Sequence, residues 1–201
     1  PGQFILPTDI AVLLRPDGKS VERIYVAEYG GHDRISVFDG SRKFLFAFGE
    51  WGLSTATQAV DDTRVVFARP QSLLIENVGG RRELIVTDSA NHRIGRLTLD
   101  GKLIRWIGSP AKMGDGPGEF RYPYGLASLG DGTVMVSEFG GNRVQRIQLD
   151  TGASMGSWGR AGRHDGELAT PWAVTVLGNE TYVVDSGNNR VLAFPTPKRR
   201  G

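Results

Sequence analysis

Short runs of apolar and β-branched residues recur along the whole chain and are separated by Gly, Asp and Asn. Runs of this kind, bounded by turn-forming residues, are typical of β-strands. No segment shows a helical period of apolar residues over ten or more positions. The pattern therefore predicts an all-β protein built of short antiparallel strands.

The strand pattern repeats four times, with a period of about 50 residues. Each unit begins near a proline, and later in the unit a carboxylate precedes an arginine by five or six residues. The marker prolines are Pro7, Pro70, Pro123 and Pro171. The carboxylate–arginine pairs are Glu28–Arg34, Asp88–Arg93, Glu138–Arg143 and Asp185–Arg190. Four short strands in about 50 residues make one blade of a β-propeller, which buries its sheet against the neighbouring blades.

We therefore predict a single propeller over residues 1–201. Its four blades span about 4–49, 67–108, 120–159 and 168–194, and a tail follows at 195–201. Each of the first three units contains four strand-like runs. The fourth unit ends after its third run, at Phe194.

At these residues the chain resembles the NHL-repeat family, whose units carry Pro-x-Gly-Ile-Ala-Val, then Tyr-Val-Ala-Asp-x-x-Asn-His-Arg-Ile, and then a Phe-Gly ending. The segment from Asp88 to Ile94, Asp-Ser-Ala-Asn-His-Arg-Ile, is a close match. The first unit has one extra residue before Arg34, and the third and fourth units lack the His. The resemblance covers nearly the whole chain and implies four NHL-type blades, each a four-stranded antiparallel sheet.

The unfinished fourth unit leaves two interpretations. The resemblance implies a six-bladed ring, which is the usual form in this family. The chain is therefore either part of a longer six-bladed protein or associates with another copy through its incomplete last blade. We favour the first interpretation.

The carboxylate–arginine pairs have a structural interpretation. Each carboxylate ends a predicted second strand and each arginine begins a third strand, so the hairpin brings opposite charges together across one turn. A ring of acids could instead indicate a hydrolase or a metal site. The structural interpretation is favoured because every acid has an arginine facing it across the hairpin.

Alternating strand directions place the marker prolines and the carboxylate–arginine hairpins on a single rim of the propeller. The candidate binding residues directly follow these markers and are Thr8, Tyr29, Gln71, Tyr124, Phe139 and Trp172. Ser89 and Ser186 occupy the remaining equivalent positions. Aromatic side chains on a rim are typical of recognition surfaces, although they also pack blades together.

Composition and charge narrow the choice of partner. The chain has 24 Lys and Arg against 22 Asp and Glu, and this small excess of positive charge does not by itself indicate nucleic acid. Some animal relatives bind single-stranded RNA on this face with arginines and aromatics, but the loops here also carry acids, so nucleic acid is an unfavoured partner. The chain has no Cys, which excludes disulfides and cysteine nucleophiles. No apolar run is long enough to span a membrane.

The resemblance implies a non-enzymatic binding or scaffold module that presents its rim to a protein or peptide partner. Some relatives are lyases with a metal in the central channel, so a propeller lyase or hydrolase is the alternative, and single-stranded RNA binding is a second alternative. We predict no catalytic residue, cofactor or metal ligand, because His32, His92 and His164 lie in separate turns and loops. Bacterial relatives are often exported or anchored, so the resemblance favours a bacterial-like, extracytoplasmic protein.

Overall fold

The computed structural model of the chain describes residues 3–54, 64–108 and 113–196, so most of the predicted tail lies outside the described residues. Within these ranges the structure consists of β-strands and two short 3₁₀ turns. The strands are β1 (Leu6–Leu14), β2 (Val21–Tyr29), β3 (Arg34–Asp39), β4 (Phe44–Phe48), β5 (Glu50–Trp51), β6 (Val66–Phe67), β7 (Pro70–Val78), β8 (Arg81–Asp88), β9 (Arg93–Leu97), β10 (Leu103–Ile107), β11 (Pro123–Ser128), β12 (Thr133–Glu138), β13 (Arg143–Gln148), β14 (Ser154–Trp158), β15 (Pro171–Leu177), β16 (Glu180–Asp185) and β17 (Arg190–Pro195). The 3₁₀ turns span Ser89–Asn91 and Ser186–Asn188.

Four antiparallel sheets form the blades of a propeller. The first three each contain four strands in sequence order, namely β1–β4, β7–β10 and β11–β14. The fourth contains β15, β16 and β17 in the described residues. The innermost strands pack against one another in the order β1, β7, β11, β15. The prediction of an all-β propeller with four antiparallel blades is therefore confirmed, whereas membership of a six-bladed ring stays a prediction.

One pairing was not predicted from the sequence. Strands β5 and β6 form a short parallel pair, in which Glu50 lies opposite Val66 and Trp51 lies opposite Phe67. This pair joins the end of the first blade to the start of the second. Strand β6 of this pair lies shortly before β7, the innermost strand of the second blade.

Three apolar clusters fill the spaces between consecutive blades. Each cluster takes side chains from both sheets that border it, because successive residues of a strand point to opposite faces. The largest fully buried side chains in these clusters include Tyr25, Phe67, Ile94, Phe120 and Met135. The second and third blades, which have a neighbour on each side, are thus apolar on both faces, as a propeller requires. Within the described ranges, no helix has the length and hydrophobicity needed to cross a bilayer.

Candidate functional site

Strand pairing brings the three marker residues of each unit to the same rim, which we call the marker rim. In the second blade Pro70 lies opposite Asp88, and Asp88 lies opposite Arg93. The other blades align their markers in the same way, as Pro7–Glu28–Arg34, Pro123–Glu138–Arg143 and Pro171–Asp185–Arg190. The residues that follow these markers therefore extend from one end of the propeller.

Each marker arginine forms a hydrogen-bonded ion pair with the carboxylate of its own hairpin. The distances from arginine Nε to the carboxylate oxygen are 2.7 Å for Arg34–Glu28 and Arg143–Glu138, and 2.8 Å for Arg93–Asp88 and Arg190–Asp185. All four carboxylates are fully buried. The arginines also reach the loop that enters their blade: Nη2 donates to the carbonyls of Val66, Glu119 and Glu167 in the second, third and fourth blades.

The same carboxylates accept a backbone N–H from the residue two positions before the marker proline. The donors are Ile5, Ala68, Arg121 and Ala169, at 3.1, 2.7, 2.8 and 2.7 Å. Each acid thus binds both its arginine and the chain that enters its blade. This bonding accounts for the charged groups of the marker rim without a ligand.

The electrostatics of this motif differ between central and terminal blades. Burial raises the pKa of Asp88 to about 6, although its hydrogen-bond partners favour the charged form. Burial likewise raises the pKa of Glu138. Burial also opposes ionisation at Glu28 and Asp185, but there the hydrogen bonds outweigh it and hold the pKa of each below its usual value. The two carboxylates enclosed between other blades are therefore the harder ones to ionise.

The residue before the marker arginine links consecutive blades in the first three units. The residues at this position, Asp33, His92, Asn142 and Asn189, all have left-handed backbone conformations. In the first three blades the side chain accepts a backbone N–H from the residue that precedes the next marker proline. The bonds run from Arg69 N to Asp33 Oδ2 at 2.7 Å, from Tyr122 N to His92 Nδ1 at 3.2 Å and from Thr170 N to Asn142 Oδ1 at 2.8 Å.

His92 is therefore a structural acceptor in this arrangement. Its ring lies edge-on to Tyr122, with centroids 4.5 Å apart. Burial, together with the nearby charge of Arg121, lowers the pKa of His92, which keeps Nδ1 available as an acceptor. His32 and His164 are exposed. Among the residues that the structure describes, no group of three or more His, Asp or Glu side chains is arranged to hold a metal ion.

Three of the predicted rim aromatics form one cluster. The rings of Tyr124 and Phe139 stack with centroids 4.8 Å apart, and Trp172 meets them edge-on at 5.1 and 5.9 Å. Tyr124 is buried, with 4% of its surface exposed, whereas Trp172 is 50% exposed. The cluster therefore fixes one large aromatic ring at the surface of the rim.

Four of the six predicted rim residues line a single cavity where the innermost strands converge. Thr8, Gln71, Tyr124 and Trp172 border a cavity of about 160 Å³. Its remaining walls are Asp9, Ser72, Gly125 and Ala173, the residues that follow these four in the chain. The carboxylate of Asp9 accepts hydrogen bonds from Ser72 Oγ and Leu73 N, both at 2.8 Å. The cavity thus has an aromatic side and a polar side.

Tyr29 lies outside this cavity, but Arg69 connects the two. The guanidinium of Arg69 stacks over the Tyr29 ring, 5.1 Å from its centroid, and Nη2 donates to the Tyr124 hydroxyl at 3.2 Å. Arg69 Nε is buried and has no hydrogen-bond partner in the described part of the chain. We call the set Tyr29, Arg69, Tyr124, Phe139 and Trp172 the aromatic strip. A concavity of about 480 Å³ opens beside its first end, against Trp51.

Two residues at rim positions face inward. The hydroxyl of Ser89 donates to the carbonyl of Pro123, and that of Ser186 donates to the carbonyl of Thr170. These serines join strands rather than contribute to the surface.

Sequence reasoning missed two groups that hold consecutive blades together. Asp33 acts as the linking acceptor of the first blade, and a buried ion pair joins Glu83 to Arg96 at 2.8 Å. Arg96 also donates to the carbonyl of Leu149 in the third blade at 2.9 Å. The signal for Glu83 and Arg96 was two charges at inward positions of adjacent strands, where an unpaired charge would be costly.

These features define a β-propeller with a repeated ion-paired hairpin and an aromatic strip on one rim. No family model matches the chain. NHL repeat-containing protein 3 of Homo sapiens is 28% identical over 103 residues, which cover 50% of this chain and 28% of that protein. The protein of the same name from Mus musculus is 28% identical over 121 residues, which cover 59% of this chain and 32% of that protein. The matches span about a third or less of these relatives.

Solved structures agree on the fold. The chain is similar to a nidogen/laminin complex (TM-score 0.63, 21% identity, 97% of this chain and 61% of that one) and to a virginiamycin B lyase from Staphylococcus aureus (TM-score 0.55, 19% identity, 94% and 55%). It is also similar to the computationally designed Ika4 protein (TM-score 0.55, 12% identity, 98% and 94%). The predicted resemblance to NHL-repeat propellers is confirmed. Since the curated relatives are mammalian, the bacterial-like character stays a prediction.

Proposed function

We propose that the chain is a non-enzymatic binding module that presents the aromatic strip to an extended segment of a protein or peptide partner. The observation that carries this proposal is the exposed ring of Trp172, held in place by Tyr124 and Phe139. We further propose that residues 1–201 form one propeller domain with the blade limits given above, and that the marker hairpins have a purely structural role.

A fixed aromatic ring favours binding for an energetic reason. Association costs free energy when side chains must be ordered, and a ring already held by its neighbours avoids much of that cost. Trp, Tyr and Arg are also the residues most often found at the energetic centre of protein interfaces. The aromatic strip combines these three residue types with one phenylalanine.

The course of the strip favours an extended ligand. Its residues come from the first, second, third and fourth blades in order, from Tyr29 to Trp172. A peptide lying along it would contact the aromatic side of the central cavity and then the guanidinium of Arg69. Stacking of apolar or proline side chains on aromatic walls is a common mode of recognition for extended peptides.

The test begins with a displayed library of short unstructured peptides, from which a binder of the parent chain is selected. Its affinity is then measured for Trp172→Ala and for the control Phe44→Ala, which removes an aromatic ring from the opposite end of the first blade. Loss of a central aromatic anchor costs about 2 kcal/mol, or roughly thirtyfold in Kd. We expect that loss for Trp172→Ala only. Equal affinities for parent and Trp172→Ala, with both folded, would refute the proposal.

A further inference from the structure

The cavity between the innermost strands contains one acidic side chain and no basic one among the described residues that line it. Each of the four described blades contributes two residues to its wall, and the acid is Asp9. Its carboxylate faces the second blade, where Oδ2 accepts hydrogen bonds from Ser72 Oγ and Leu73 N, both at 2.8 Å. Oδ1 accepts the adjacent N–H of Ile10, also at 2.8 Å. In the described part of the chain Asp9 has no ion-pair partner.

The negative charge of Asp9 exceeds what the contacts between blades require. Neutral hydroxyls join the innermost strands elsewhere, that of Thr87 between the second and third blades and that of Ser137 between the third and fourth. The second residue after the marker proline is also uncharged in the other blades, as Ser72, Gly125 and Ala173. A half-buried carboxylate without a cation carries a desolvation cost, so a neutral acceptor would be the cheaper way to bind Ser72 and Leu73.

Two further side chains add oxygen atoms to the polar side of the cavity. Thr8 Oγ1 donates to the carbonyl of Pro70 at 2.8 Å, which leaves its lone pairs available as acceptors. The amide of Gln71 is half-buried and has no hydrogen-bond partner among the residues that the structure describes. The polar side therefore offers a carboxylate, a hydroxyl and an amide oxygen to a donor that enters the cavity.

These groups match a primary ammonium better than a metal ion. An ammonium has three N–H donors and no acceptor, and the aromatic rings of Tyr124 and Trp172 on the other side of the cavity favour a cation. A calcium ion takes six to eight oxygen ligands, which one carboxylate facing two rings does not supply. A volume of about 160 Å³ holds about five water-sized atoms, which is the size of a lysine side chain from Cβ to Nζ.

We propose that this cavity binds a primary ammonium group of the partner peptide, with Asp9 as its counter-ion and Tyr124 and Trp172 as its aromatic wall. The inference rests on the proposed function, because the peptide that lies along the aromatic strip carries the group. A lysine side chain and a free amino terminus supply the same chemistry. In either case the ammonium fixes the position of the peptide along the strip, and a peptide without it loses the charged contact.

The ammonium site is first tested without a peptide. n-Butylammonium, which reproduces the end of a lysine side chain, is titrated into the isotope-labelled chain, with 1-butanol as the neutral match. We expect saturable NMR shifts of the Trp172 indole N–H and the Gln71 side-chain amide with n-butylammonium, and binding about tenfold weaker with 1-butanol or in Asp9→Asn.

The two variants are matched in charge. Asp9→Asn keeps an oxygen for Ser72 and Leu73 and removes only the negative charge. The control Asp17→Asn removes the same charge from the exposed turn between β1 and β2, at the opposite end of the first blade, and is expected to bind n-butylammonium as the parent does. Circular dichroism confirms that both variants are folded.

The peptide selected from the library then distinguishes the two sources of the ammonium. In separate peptides each lysine is replaced by norleucine and the amino terminus is acetylated. We expect one of these changes to weaken binding to the parent about tenfold and to have no further effect on Asp9→Asn, because that variant has already lost the counter-ion.

Failure of the ammonium site is distinguishable from failure of the proposed function. The site is overturned if n-butylammonium gives no saturable shifts in the parent, if Asp9→Asn binds it as the parent does, or if Asp17→Asn loses as much affinity as Asp9→Asn. A peptide that depends on Trp172 but tolerates every neutralising change would also overturn it, and would leave the proposed function intact. Unchanged peptide affinity in Trp172→Ala would instead refute the proposed function.

Discussion

Replacing Arg93 by alanine tests the structural interpretation of the marker hairpins. Arg93 is almost fully buried and binds the buried carboxylate of Asp88 at 2.8 Å. Its guanidinium also donates to the carbonyl of Val66 at 2.9 Å and lies 3.5 Å from the centroid of the Trp106 ring. The substitution therefore leaves a buried carboxylate without its cation and removes a contact between the hairpin and the chain that enters the blade.

The expected loss is large for a single substitution. Removing one partner of a buried ion pair costs about 3–5 kcal/mol, because the remaining charge stays desolvated. The arginine of the fourth blade offers a comparison, since the side chain of Arg190 is 29% exposed and water can reach its pair with Asp185. We expect Arg190→Ala to cost about 1–2 kcal/mol. In a domain of this size 1 kcal/mol shifts Tm by about 2–4 °C, so Arg93→Ala should lower Tm by roughly 6–20 °C.

Thermal unfolding followed by circular dichroism, together with urea unfolding, measures both variants against the parent. The double variant Asp88→Asn with Arg93→Met removes both charges and should recover part of the loss, because no buried charge is left unpaired. An Arg93→Ala protein with the Tm of the parent would refute the reasoning. So would an Arg190→Ala protein that loses as much stability as Arg93→Ala.

Two further predictions follow from burial in the blades. Carbon-detected NMR should show Asp88 titrating near pH 6 and Asp185 below its ordinary range. The folded pKa of Asp88 lies above its unfolded value, so its contribution to stability is complete below the unfolded pKa and is lost as pH rises through about 6. The folded pKa of Asp185 lies below its unfolded value, so its contribution to stability is instead lost as pH falls. A common pKa for the two carboxylates would contradict this prediction. Gly101→Ala should destabilise the protein by several kcal/mol, since an added Cβ would lie 2.3 Å from the ring of Phe48. The control Gly80→Ala has a φ of 83° against 82° at Gly101 but open space around the added Cβ, so it should cost about 1 kcal/mol in urea unfolding. Equal losses for the two variants would show that backbone conformation alone decides.

The fold could be predicted from the sequence because its signals are local and repeated. A propeller blade is defined by short strands and by the turns between them, and the marker prolines and arginines recur at the same place in every unit. The antiparallel order of the strands then requires the markers to share one rim. These inferences needed no knowledge of which side chains touch across blades.

Contacts between blades were not accessible in the same way. The linking acceptor is Asp33 in one blade, His92 in the next and Asn142 in the third, so its chemistry is kept while the residue type changes. A search for repeated letters does not detect such an equivalence. Likewise, the sequence placed Tyr29 with the other rim aromatics, but only the structure shows that Arg69 lies between Tyr29 and Tyr124.

The most direct test of the proposed binding rim is an NMR titration of the labelled chain with the peptide selected from the library. Binding at the aromatic strip predicts chemical-shift changes that centre on Tyr124, Phe139 and the indole N–H of Trp172 and that are small around Phe44 at the opposite end. Shifts that centre on the opposite end, or on the outer faces of the first and fourth blades, with Trp172 unaffected, would contradict the account.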